Sequence, residues 1–237
     1  MNTGDLVDCG MNNHQWQWMF DTAANTGKKD LGNTFLMPAT GNHEEFDDYS
    51  TVSNFVLPNV PEQNTASGVY YSFDYNNAYI AVLNTNDLTD GDALTDTQVA
   101  WLKKDMTETD AQWKFVMLHK APYSNGSHYD DDDVCAIREQ LGTLLPELGI
   151  DLVLQGHDHV YLRTASLLGN EKTDDEITYL RLNEKVYKTV VEPKGTTYEI
   201  SGCAGVKSYR TKDVKATDEY FPRADKIVDA DKPMFSA

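Results

Sequence analysis

Asp151-Leu152-Val153-Leu154-Gln155 runs directly into Gly156-His157-Asp158-His159. The apolar run predicts a short strand that stops at the glycine. Beyond it, alternate residues of an extended chain point the same way, so His157 and His159 can serve one site. The same arrangement recurs elsewhere. Thr34 to Ala39 predicts a strand ending in Thr40-Gly41-Asn42-His43-Glu44, and Lys114 to Leu118 one ending in His119. At the amino terminus, Thr3-Gly4-Asp5-Leu6-Val7-Asp8 reads as a loop with a carboxylate behind a glycine. Glycine permits the turn that aims the next side chain back over a sheet edge. Ligands collect at the carboxyl edge of open α/β sheets.

Outward from these motifs, helices alternate with strands. Gln15 to Ala24 repeats Trp16, Met19, Phe20 and Ala23 at helical spacing. Val69–Asp74 and Tyr79–Asn84 flank Tyr75-Asn76-Asn77-Ala78, and Asn tolerates the positive φ of a hairpin turn. Thr95-Asp96-Thr97-Gln98 has the form of a capping box and opens a helix through Met106. Ile137, Leu141, Leu144, Leu145 and Leu148 share a helical face, with Pro146 expected to break that helix near its end. Lys188–Glu192 and Thr197–Ser201 read as strands. The order predicts an α/β sandwich with mixed sheets. Residues 1–212 read as one catalytic domain, and 213–237 as an acidic surface tail or the start of a removed segment. Asp130 to Asp133 reads as a solvated loop, since no EF-hand spacing surrounds it.

Composition narrows the classes. The chain of 237 residues is 40% hydrophobic and 24% charged, which suits a packed core. No run of eighteen apolar residues occurs, so no membrane-spanning helix is expected. Twenty basic against 38 acidic residues give a net charge of −18. That field repels nucleic acid and anionic membrane, and neither is expected as a partner. An anionic substrate would need a local positive charge, which a bound metal supplies. Cys9, Cys135 and Cys203 allow one disulfide at most. No signal peptide follows Met1.

Asp5, Asn42-His43, His119, His157 and His159 bring a carboxylate, an amide oxygen and several imidazoles to strand ends, a mixed N/O set suited to zinc, manganese or iron rather than calcium. A carboxylate can bridge two ions. Asp8 and Glu44 are candidates for the acceptors that fix histidine tautomers, or are simply loop carboxylates.

Gly4-Asp5-x-x-Asp8, Gly41-Asn42-His43-Glu44, Val116-x-x-His119 and Gly156-His157-x-His159, in that order, resemble the signature of calcineurin-like metallophosphoesterases. Tyr70-Tyr71-Ser72-Phe73-Asp74, Gln98-x-x-Trp101-Leu102 and Gly156 through Thr164 narrow the resemblance to the purple-acid-phosphatase-like branch. Gly195-Thr196-Thr197-Tyr198 and Ser201-Gly202-x-Ala204-Gly205 are similar to its closing strand. The resemblance implies a sandwich of two mixed β-sheets flanked by helices, here lacking its first strands. It also implies hydrolysis of small phosphoesters, monoesters above all, by metal-bound hydroxide at a dinuclear site. Asp5 would bridge two metals about 3.5 Å apart. One metal would add Asn42, His119 and His157, the other His159. His43 would touch phosphate or protonate the leaving group. Family habit points to an extracellular or cell-surface location.

Two departures carry expectations of their own. Asp8 stands where the purple enzymes carry an iron-ligating tyrosine, so no purple chromophore is expected and manganese, zinc and iron stay open. Only three residues precede Gly4, so the family's first Asp motif and its strand are absent. A fragment of a longer phosphoesterase is therefore expected, with a weak second metal position, reduced turnover and self-association through an exposed sheet edge. Two alternatives stand beside phosphomonoester hydrolysis. One is a phosphodiesterase or nucleotidase in which Tyr123, Tyr129 or Tyr161 stacks a base. The other is a non-catalytic metal-binding cell-surface domain.

Overall fold

The computed structural model describes residues 1–25, 35–45, 61–90 and 92–203. The expected strand at Thr34 and the expected tail from Asp213 lie wholly or partly outside them. The central sheet has six strands: β1 (Tyr71–Tyr75), β2 (Ala78–Val82), β3 (Trp113–Met117), β4 (Leu152–Gln155), β5 (Tyr161–Arg163) and β8 (Thr197–Ser201). Their spatial order is β1-β2-β3-β4-β8-β5. The β2, β3, β4 and β8 strands run parallel, with an antiparallel strand at each edge. The mixed α/β architecture expected from the sequence is borne out. The β1–β2 turn forms at Asn76-Asn77, with Asn76 at φ 57°.

Period-two alternation buries both faces of this sheet. Ala81, Leu83, Val116, Leu118 and Val153 pack on one side with Leu102 and Met106 of α2 (Asp96–Glu108) and Ile137 and Leu141 of α3 (Asp132–Leu141). Ile80, Val82 and Met117 pack on the other with Ala39, Val69 and Tyr71. Each buried Val, Leu, Ile or Met among them contributes roughly 1.5–3 kcal/mol. Among the described residues no helix is long and apolar enough to cross a membrane. Cys9, Cys135 and Cys203 are all unbridged.

Several local expectations are corrected. Residues 35–39 form no strand; only an isolated parallel bridge joins Asn2 to Pro38. The opening segment 3–8 is the loop expected, and its start is tied down by Asn2 N–H on Met37 O at 3.2 Å and Ala39 N–H on Asn2 O at 2.8 Å. The capping box is half made. Thr95 Oγ1 accepts Gln98 N–H at 3.4 Å, but the buried Gln98 amide turns to Asn84, accepting its N–H at 2.8 Å and donating to its carbonyl at 3.1 Å. The helix through Ile137 ends before Gly142, and Pro146 sits inside a separate short turn, Leu144–Glu147. There the missing N–H of proline costs nothing, because a first-turn N–H has no helical partner. The carboxylate run is a helix start: Asp131 stands at the N-cap position without a side-chain cap bond, Asp132 and Asp133 occupy the first turn of α3, and Asp133 pairs with Lys120 at 2.7 Å. Acidic groups are favoured at that end by the helix dipole. Finally, β6 (Ile177–Leu182) and β7 (Lys185–Val190) form an exposed hairpin. It turns through Asn183-Glu184, both at positive φ.

Candidate metal centre

The parallel strands deliver the polar motifs to one edge. β3 ends at Met117, two residues before His119; β4 ends at Gln155, two before His157. Leu118 N–H binds Leu154 O at 3.0 Å and Gly156 N–H binds His119 O at 2.9 Å, so the ladder continues into both motifs and brings the rings together. His119 Nε2 lies 3.2 Å from His157 Nδ1, 3.2 Å from Asp5 Oδ1 and 2.9 Å from Asn42 Oδ1. Four of the five residues expected as ligands therefore converge. His159 is half-buried two residues beyond and is outside the close Asp5–His119–His157 group.

Several tight local features hold these residues in place. Asp5 and His157 both occupy the left-handed region, at φ 54° and 67°. Such backbone is uncommon outside glycine and persists where surroundings over-determine it. Gly41 is required by space: a Cβ there would lie 2.2 Å from Asp5 Oδ1 and 2.4 Å from Asp5 N. Glu44 is fully buried and gathers four N–H groups, from Asp5 (2.9 Å), Leu6 (2.6 Å), Val7 (3.3 Å) and Gly41 (2.7 Å). It ties the Asp5 loop to the Asn42 loop. The His119 tautomer is set by neither Glu44 nor Asp8. Its Nδ1 donates to the Thr3 carbonyl at 2.7 Å, which turns Nε2 toward the cluster.

His43 is oriented from two directions. Its backbone N–H donates to Asp5 Oδ1 at 3.2 Å and its Nδ1 to the Asp8 carbonyl at 2.7 Å, making Nε2 the basic ring nitrogen. Asp8 thus acts through its backbone; its carboxylate is 3.9 Å away and 79% exposed. His128 carries a signal the sequence reading missed, since it follows no strand end and no glycine. Its ring centroid is 4.0 Å from that of His157, and its Nδ1 is 2.7 Å from Asp131 Oδ2. The base-stacking expectation fails for two tyrosines, because Tyr123 and Tyr129 are buried at 0% and 4% exposure. Tyr161 is half-buried.

Electrostatics sharpen the picture. Burial works to raise the Asp5 pKa, but the hydrogen bond and charge of His119, with help from His43, outweigh it and hold the carboxyl at about 2. Burial, then the rings of His119 and His128, push His157 down to about 2, so it is a neutral donor. Burial and the charge of Asp5 raise Glu44 against its N–H bonds. A depressed histidine means that the unfolded chain takes a proton below pH 6.5 that the folded chain refuses, so acid destabilises. Asp5 acts in the same direction below its unfolded value of 3.8; Glu44, being raised, acts in the opposite one. The difference in unfolding free energy between wild type and His157→Asn, both metal-free, isolates the histidine. It should move against wild type by roughly 1.4 kcal/mol per unit as pH falls from 6 to 4. A pH-independent difference in denaturant titrations would contradict a neutral His157.

The donor set fits a metal. Asp5 Oδ1, Asn42 Oδ1 and His157 Nδ1 all lie within 3.2 Å of His119 Nε2, a gathering of potential donor atoms that a cation would hold together. Ligands at 2.0–2.1 Å on a tetrahedron stand about 3.4 Å apart, close to the 2.9–3.2 Å seen around His119 Nε2.

The chain is 30% identical over 181 residues to purple acid phosphatase 18 of Arabidopsis thaliana, covering 72% of this chain and 39% of that protein. It is 29% identical over 182 residues to purple acid phosphatase 15 of the same plant, covering 72% and 29%. The chain therefore spans well under half the length of these relatives. The solved structure of a purple acid phosphatase from yellow lupin (Lupinus luteus) seeds superposes with TM-score 0.62 at 19% identity, covering 90% of this chain and 38% of that one. That likeness carries the fold. The sequence profile of the calcineurin-like phosphoesterases matches residues 1–161, and the chain belongs to that family.

Proposed function

We propose that this chain hydrolyses phosphoesters, monoesters in preference, at a metal centre held by Asp5, Asn42, His119 and His157. Asp5 would be shared with a second metal position that includes His159. The observation that supports this most is the meeting of four polar atoms from four separate segments, three of them within 3.2 Å of His119 Nε2. When bound, manganese, zinc or iron supplies Lewis acidity that acidifies water and screens phosphoryl charge against the −18 background. The chain's own residues do the rest. His157 presents a neutral nitrogen, His119 turns Nε2 toward the cluster, and Asp5 stays ionised at working pH. His43, fastened through Nδ1 to the Asp8 carbonyl, would pass a proton through Nε2 to the leaving alkoxide, and the His128 ring lies 4.0 Å from that of His157. The acidic composition favours an extracellular or cell-surface setting.

Burial of Tyr123 and Tyr129 takes away two of the three tyrosines that could stack a base and supports the monoester reading, with Tyr161 half-buried. Assays with p-nitrophenyl phosphate and bis(p-nitrophenyl) phosphate on metal-loaded protein separate the readings. The monoester should turn over at least tenfold faster. Faster diester cleavage favours the phosphodiesterase, and hydrolysis of neither favours a non-catalytic domain.

A further inference from the structure

Between the two histidines of the β4 exit stands Asp158, with only 2% of its surface exposed. A carboxylate removed from water needs hydrogen-bond donors, and those of Asp158 all come from the loop that follows His119. Its oxygens accept the Ser124 hydroxyl, the Ser127 hydroxyl at 3.5 Å and the His128 backbone N–H at 3.2 Å. Ser124 Oγ in turn accepts Gly126 N–H at 2.9 Å. The carboxylate fits so closely inside this loop that a Cβ on Gly126 would lie 2.2 Å from it.

The remainder of the loop is fastened elsewhere. Gln155 brackets Tyr123 from both sides, accepting its N–H at 3.2 Å and donating to its carbonyl at 2.6 Å. Buried Arg138 donates to the carbonyls of Pro122 (2.9 Å) and Tyr129 (3.1 Å). Neither reaches the apex at 124–128, where Asp158 makes the contacts. Duties therefore alternate along the β4 exit: His157 enters the metal cluster, while Gln155 and Asp158 hold the loop whose His128 ring lies against His157.

We propose that Asp158 is a positioning residue that holds His128 in register with the metal-binding histidines, so that the metal site and the phosphate-facing imidazole are set by one strand end. This rests on the phosphoester reading for its catalytic consequence, but not for its structural one.

The test uses the full chain and two readouts. In metal-free protein, histidine-ring NMR, with the His128 signals assigned by their loss in His128→Ala, reports the stacking on His157. Asp158→Ala and Gly126→Ala should both move the His128 ring signals toward the values of an unstructured histidine. Asp158→Asn keeps an oxygen for His128 N–H and gains an amide that Ser124 can accept, so it should hold them in place. In manganese-loaded protein, Asp158→Ala should lower kcat about a hundredfold, as much as His128→Ala, with bound manganese unchanged. The double variant should lose no more than either single, and Asp158→Asn should restore most of the rate. Unmoved His128 signals in Asp158→Ala, or a double variant that loses the product of the two singles, would overturn the proposal. Absence of hydrolysis in wild type would count against the phosphoester reading alone, and the NMR readout would still decide the role of Asp158.

Discussion

Glu44→Ala should lower the unfolding free energy of the metal-free protein by about 4 kcal/mol, the largest stability effect expected of any single change here. The carboxylate is fully buried and accepts four backbone N–H groups. Each buried donor left without an acceptor costs about 1–3 kcal/mol, and partial relaxation of the loop toward water keeps the sum below the simple total. Three of those donors belong to Asp5, Leu6 and Val7, so losing the anchor also releases Asp5 from its strained φ of 54°. Metal affinity should fall together with stability. Glu44→Gln retains one good acceptor oxygen but turns an amide toward the remaining N–H groups, and should fall between. Denaturant unfolding measures both variants. A loss under 1 kcal/mol for the alanine variant would mean that the loop is held by something other than Glu44.

His119→Ala should reduce hydrolysis at least a thousandfold, a barrier increase of about 4 kcal/mol. The ring is 1% exposed, and its Nε2 is the atom nearest Asp5, Asn42 and His157 together. Removing it deletes a ligand and leaves the Thr3 carbonyl without its donor. It also removes the group that holds Asp5 low against burial, so the Asp5 carboxyl should rise and bind protons more readily. His43→Ala provides the contrast. That ring touches the Asp8 carbonyl rather than the cluster, so bound metal should stay while rate falls by about 10²–10⁴, the range for a general acid. Kinetics with metal analysis on both variants separate holding metal from moving protons. Equal metal loss in the two would contradict the division.

Much of this was legible because the signals were local. The β3 and β4 strands are short apolar runs with a polar stop, and the Asn76-Asn77 turn has residues that tolerate positive φ; all form within a residue or two of expectation. The residues proposed as ligands stood out for the same reason: Asp5, Asn42 and His157 each follow a glycine, and His119 follows a strand end. What escaped depended on distant partners. Nothing near Gln98 in the chain shows that its amide will go to Asn84 rather than back to its own cap. The acceptor for His119 Nδ1 is a backbone carbonyl at Thr3, invisible to a search for carboxylates. His128 lies mid-loop, and only tertiary packing puts its ring on His157. Tyr123 and Tyr129 looked like base platforms by type, but burial decided otherwise.

The central claim is that Asp5, Asn42, His119 and His157 hold a metal ion together. Elemental analysis after reconstitution with manganese, zinc or iron and desalting tests it directly, comparing wild type with His119→Ala, His157→Ala and His14→Ala, the last an exposed residue at the start of the helix Asn13–Asn25. Wild type and His14→Ala should retain at least one equivalent, and the other two should lose it. No retained metal in wild type, or equal retention in all four proteins, would contradict the account.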